Sequence, residues 1–251
     1  MALSIIKSLE TTMLVKSCHC HQQLRKPFKR ISMLRVRCSV PIGGRRTSQT
    51  SALSPSENEQ ILMEDSVENC WSFLEEDGVR NADRIITAGA VKEGSRILIS
   101  MGSEGFVDRV MESTSNEVVV AHKSLFVLAC IKEKYDNVKC WQGKLTQIPE
   151  KWAPLEVVFL YFVPALEEEL HNVLGALSKI CSAGARVVVS HPQGRAALTQ
   201  QRSLFEDVIT ADLPQANALH HVAAAHQFNV TELTDDEDIF LAVLTFSGIV
   251  N

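Results

Sequence analysis

From Arg96 onward the chain alternates short apolar runs with segments of helical periodicity, and this alternation limits its fold more than any other feature. RILISM (96–101), EVVVAH (117–122), NVKCW (137–141), LEVVFLYF (155–162) and ARVVVSH (185–191) read as strands. The segments between them predict helices over about 104–112, 124–134 and 164–181, the last stopped by Gly184. Strands separated by helices of this length imply right-handed crossovers and a parallel sheet covered on both faces. The run 155–162 has the unbroken apolar character of a strand buried on both sides. The ending differs: a helix around 217–226 leads into FNVTEL (228–233), the acidic turn TDDED and IFLAVLTF (239–246), which predicts an antiparallel hairpin. The expected architecture is therefore α/β, a doubly wound, mostly parallel seven-stranded sheet ending in an antiparallel β-hairpin. Ahead of the first strand, the pattern predicts a helix over 61–76 ended by Gly78, and a second through about 91, capped by Asn81 and closed by Gly94.

A chain of 251 residues has room for one such domain and an extension, and no uncharged apolar run reaches the roughly 18 residues that a membrane span needs. Charge divides the two parts. Residues 1–50 carry ten Lys or Arg and a single acid, Glu10, whereas the remaining 15 basic and 29 acidic residues leave a net of −14. A basic, Ser-containing, nearly acid-free N-terminus without a long apolar stretch reads as an organelle transit peptide, of chloroplast (stroma) rather than mitochondrion. A junction after Cys38 gives residues 1–38 as the plastid transit peptide, 39–60 as a polar linker and 61–251 as the folded domain. The competing reading is a basic arm for nucleic acid or acidic lipid, but the acidic domain it is joined to would be repelled by phosphate, so no nucleic-acid partner is expected. Cys18-His19-Cys20-His21 falls within the peptide. Four consecutive residues in an extended chain cannot all face one ion, so no metal site is expected there. Cys70, Cys130, Cys140 and Cys181 contain no CxxC pair and read as buried thiols.

Several pieces occur in an order that resembles one family: AGAVKEGSRILISMGSEG, EVVVAHKS, NVKCWQGKLTQIP, LEVVFLYF, LSKICSAGARVVVSH and the terminal hairpin. Over about residues 81–248 the chain resembles the class I S-adenosylmethionine-dependent methyltransferases, type 11-like, with their Rossmann-like fold. The resemblance implies S-adenosylmethionine across the carboxyl ends of the first strands. It also implies a glycine loop after the first strand, an acid after the second strand for the ribose and an acid after the third facing the adenine. Carried over, the cofactor positions fall on Met101, Gly102, Ser103, Glu104, Gly105, His122, Gly143 and Lys144.

At each acidic position the chain departs from that pattern. The first-strand acid falls on Ile99, the ribose acid on His122 and the adenine-side acid on Lys144; of the three loop glycines only Gly105 is kept. Each lost hydrogen bond to a charged partner is worth about 1.5–3 kcal/mol, and roughly every 1.4 kcal/mol is tenfold in affinity. Glu104 is the one nearby acid that could compensate. His122 also reads as an ordinary partly exposed histidine, and Lys144 as a solvated turn residue.

Three other features bear on chemistry. HPQGR (191–195) reads either as an anion-holding loop, with Arg195 and Arg202, or as a turn set by Pro192 and Gly194. Trp152, Tyr161 and Phe162 lie where the family's substrate pocket is found, or else in the core. Glu167, Glu168 and Glu169 read as a solvated helix start. Hydrolase triads, Walker loops and zinc spacings do not occur. The expected function is a methyltransferase-fold protein with an eroded S-adenosylmethionine site, a non-catalytic binding or assembly factor for a protein partner or small molecule. The alternatives are an active methyltransferase with atypical contacts, and an anionic ligand held by His122, Lys144 and Arg195.

Overall fold

The computed structural model describes residues 73–248, with side chains from Asn81 on. Seven strands form one sheet: β1 (Arg96–Ser100), β2 (Glu117–Ala121), β3 (Lys139–Trp141), β4 (Leu155–Leu160), β5 (Cys181–His191), β6 (Phe228–Asp235) and β7 (Phe240–Phe246). Their spatial order is β3-β2-β1-β4-β5-β7-β6. Strands β1 to β5 pair in parallel, and β7 runs antiparallel to both β5 and β6. Six helices accompany them: α1 (Phe73–Gly89), α2 (Glu104–Ser113), α3 (Leu125–Lys134), α4 (Leu170–Ile180), α5 (Gly194–Leu204) and α6 (Ala216–Ala225). The doubly wound sheet with its antiparallel end is as the alternating pattern predicts.

Burial explains why the central strands carry unbroken apolar sequence. Ile97, Leu98 and Ile99 of β1, Val158, Phe159 and Leu160 of β4, and Val187, Val188 and Val189 of β5 are fully buried. They sit between helical layers, so polar alternation would strand unsatisfied groups on one face. Two helices start on side-chain caps. Ser103 Oγ accepts from the Phe106 N–H at 3.1 Å and Ser124 Oγ from the Val127 N–H at 3.3 Å, which fixes α2 and α3 to the ends of β1 and β2.

The entry helix differs from expectation. Neither Gly78 nor Asn81 interrupts it, and α1 runs unbroken to Gly89. A helix-interior glycine costs only about 1 kcal/mol, and Asn81 takes tertiary partners instead of capping. Its buried Nδ2 donates to the Pro192 carbonyl at 2.8 Å and to the Asp238 carbonyl at 2.9 Å, tying α1 to the loop after β5 and to the β6–β7 turn. The segment predicted as one helix over 164–181 is also divided. Pro164 sits in a 3-10 turn, Val163–Ala165, and α4 begins only at Leu170. At its far end α4 passes directly into β5 at Cys181, and Gly184 (φ +81°) lies inside that strand, where the pairing with β4 shifts register. Helix α5 follows the HPQGR turn, a mostly polar stretch whose buried face includes Leu198.

Asn81→Ala would leave two carbonyls without their donor. Equilibrium urea unfolding should show a loss of about 1–3 kcal/mol with an unchanged slope.

Candidate functional site

The register brings the carboxyl ends of four strands to one level. Ser100 pairs with Ala121 and with Leu160, and Ala121 pairs with Trp141. Backbone bonds carry the rim one residue further: Met101 N–H donates to Ala121 O, His122 N–H to Trp141 O and Tyr161 N–H to Ser100 O, each at 3.0–3.1 Å. Because β1 is flanked by β2 on one side and β4 on the other, connections leave it in opposite directions, and a crevice opens where they part. A cavity of about 270 Å³ occupies this place, with Met101, Lys123, Lys144, Leu166 and Glu168 in its lining.

No family model matches the sequence, and no curated protein matches it either. Solved structures do match in shape. The complex between the Haloferax volcanii Trm112 methyltransferase activator and a chain named as a methyltransferase aligns with a TM-score of 0.60 at 11% identity, over 78% of this chain and 100% of the other. Geranyl diphosphate C-methyltransferase from Streptomyces coelicolor, solved with S-adenosyl-L-homocysteine, gives 0.55 at 10% identity over 72% and 84%. A TehB-like SAM-dependent methyltransferase from Corynebacterium glutamicum gives 0.53 at 15% over 74% and 99%. The fold is that of the class I methyltransferases.

The loop after β1 has the conformation of a tight turn into α2. Met101 stands in the left-handed region (φ +55°), a conformation costing a non-glycine residue about 1–2 kcal/mol. Gly102 follows because a Cβ there would come within 2.6 Å of Ile99 Cγ2. Ile99 itself is fully buried in the core. Ser103 is used as the α2 cap. Glu104, the expected compensating acid, faces α3: its carboxylate pairs with Lys134 Nζ at 2.5 Å, and Lys134 also holds Asp108 at 2.8 Å. Gly105 lies in the first turn of α2.

His122 is buried beneath the rim, and its Nδ1 accepts from the Ser124 N–H at 2.9 Å. Burial, aided by the charge of neighbouring Lys123, pushes its pKa down to about 4, so it is neutral at physiological pH. The partly exposed histidine read from the sequence is thus a buried one. Gly143 (φ +148°) and Lys144 lie at the cavity, where the Lys144 carbonyl accepts from Trp141 Nε1 at 3.2 Å. Of the eight expected cofactor residues, the cavity lining includes Met101, Gly143 and Lys144; Gly102, Ser103, Glu104, Gly105 and His122 stand behind or beside it.

The residues missed from sequence come from after β2, β3 and β4. Glu167 and Glu168 line the cavity, and the Glu168 carboxylate accepts from Leu145 N–H at 2.6 Å and from the Thr146 hydroxyl at 2.5 Å. The acidic run is a solvated helix start only in part: Glu169 is the exposed N-cap of α4, whereas Glu168 closes on the turn next to Lys144. Lys123 and Gln142 were findable by counting one or two residues past each strand end. The fold-back of Glu168 across a 3-10 turn leaves no local signal.

The remaining candidates resolve into structure. Arg195 grips Asp235 with Nε at 2.8–2.9 Å, donates to the Leu213 and Pro214 carbonyls and lies over the Phe240 ring. Arg202 binds Asp212 and the Ala211 carbonyl. Both border a shallow cleft of about 440 Å³ along α5, apart from the rim cavity, so His122, Lys144 and Arg195 do not converge on one ligand. His191 is buried, accepts from Gln193 N–H at Nδ1 and bonds Gln201 through Nε2, and its pKa falls to about 4 through burial. Tyr161 stacks on Phe106 and Phe162 lies against His191, both fully buried, while Trp152 meets Trp141 edge-on at 6.0 Å. Cys130, Cys140 and Cys181 are free thiols, half-buried rather than fully buried; burial pushes Cys181 up to about 12. Among the described residues no group of three or more metal-ligating side chains occurs. Cys70 and the Cys18–His21 cluster lie outside the described residues.

His122 and His191 both bind their proton more weakly folded than unfolded, from 6.5 to about 4. The unfolded chain therefore holds more protons in this interval, and stability is full above pH 6.5 and lost as pH falls toward 4, with a combined slope approaching about 2.7 kcal/mol per pH unit. Urea midpoints measured across pH 4–7 should show this fall, and His122→Gln should flatten it.

Proposed function

We propose that this chain is a methyltransferase-fold protein whose S-adenosylmethionine site is eroded, acting as a non-catalytic binding or assembly factor in the plastid. The observation that carries this reading is the contact between Glu168 and the Leu145 N–H beside Lys144. The backbone donor next to the expected adenine-side position is already taken by the chain's own carboxylate. The three acid positions hold Ile99, His122 and Lys144, and the acid nearest the loop, Glu104, is committed to Lys134.

Support for a partner-dependent role is indirect. One structural neighbour is a complex with a methyltransferase activator protein. Among the described residues no helix is long and apolar enough to cross a membrane. The second reading, an active methyltransferase, draws on the left-handed backbone at Met101, in the loop on which the expected cofactor positions fall. Residues 1–38 serve in the proposal as the transit peptide and 39–60 as its linker; both lie outside the described residues.

Calorimetric titration of the protein with S-adenosylmethionine should give no saturable heat at 100-micromolar-scale concentrations, on the order expected after two or three lost charged contacts. A micromolar dissociation constant would overturn the eroded-site reading in favour of the active one. Separately, residues 1–60 fused to a fluorescent protein should enter isolated chloroplasts and be cleaved after Cys38; retention outside them would remove the plastid assignment.

A further inference from the structure

The rim cavity is lined by charges of both signs. Lys123 and Lys144 line it from the ends of β2 and β3, the Lys123 ammonium also donating to the Asp207 and Val208 carbonyls, and Glu167 and Glu168 line it from the segment between β4 and α4. Glu168 is satisfied by Leu145 and Thr146. Lys144 and Glu167 are both exposed, and among the described residues neither side chain makes an ion pair or hydrogen bond. Two unlike charges thus border one cavity of about 270 Å³ without closing on each other. The lining also has an apolar part, with the buried Met101, Ala121 and Ala165.

We propose that this cavity takes a small dipolar metabolite of the amino-acid class, its carboxylate against Lys144 and Lys123 and its ammonium against Glu167, with its carbon chain over the apolar part of the lining. The proposal rests on the reading that the site no longer serves S-adenosylmethionine. Solvated charges held apart across a cavity gain little from each other. A ligand carrying both signs at a fixed separation engages both at once and covers the apolar part of the lining. A dianion or a dication of the same length meets a like charge at one end, which works against binding.

The test uses the full-length protein and three unbranched probes with the same five-carbon chain: 5-aminopentanoate, pentanedioate and 1,5-diaminopentane. Dissociation constants are read by NMR titration, with S-adenosylmethionine titrated in parallel. 5-Aminopentanoate should bind at least about fivefold more tightly than either symmetric probe. Lys144→Glu should weaken it roughly tenfold and turn the preference to the diamine, and Glu167→Lys should turn it to the dianion. Both positions are exposed, and circular dichroism will establish that the variants are folded. Absence of binding by every probe, equal binding by a symmetric probe, or an order left unchanged by either charge swap would each overturn the proposal. Micromolar S-adenosylmethionine binding alongside the expected probe order would strike only the eroded-site reading, so the two failures are distinguishable.

Discussion

Everything at the candidate site depends on β1 being hydrogen-bonded in parallel to two neighbours whose chains leave in opposite directions. With Ser100 level with both Ala121 and Leu160, the loops after β1, β2 and β4 have no choice but to emerge beside one another. The fully buried Ile97–Ile99 segment holds that register, because slipping one residue would exchange the faces on which its side chains pack. The crevice is therefore a property of the sheet, and substitutions in the loops change its chemistry without abolishing it.

The opposite edge of the domain is organised by a different set of contacts. Asn81, Gly194 and Arg195 all converge on the β6–β7 turn: the first by donating to Asp238, the second because a Cβ would come within 2.4 Å of the Glu237 carbonyl, the third by its grip on Asp235. This explains why the HPQGR loop carries a glycine with φ +71° and an arginine whose guanidinium is bonded within the fold. Its donors are spent inside the fold.

The architecture was legible because strand identity rests on local apolar runs, and seven such runs with helical spacers leave few arrangements. The terminal hairpin was equally clear from its acidic turn. Helix boundaries were less so. Gly78 and Asn81 carry local stop and cap signals that tertiary bonds override, and Pro164 marks a turn six residues before the next helix begins. For the site, the resemblance to methyltransferases located the rim and placed Met101, Gly143 and Lys144 on the cavity. It did not reveal where side chains point. Glu104 turns to α3 because Lys134 is there, His122 turns into the core, and Glu168 comes back from beyond β4, all long-range outcomes that no window of sequence encodes.

Met101 has a meaning of its own. Its backbone adopts a left-handed conformation that glycine adopts freely and methionine adopts under strain. A glycine would let a ligand slide against bare main chain; here a thioether side chain lines the cavity instead, held by its neighbours with only 5% of its surface open to water. Whatever visits this rim must fit the space that this side chain leaves.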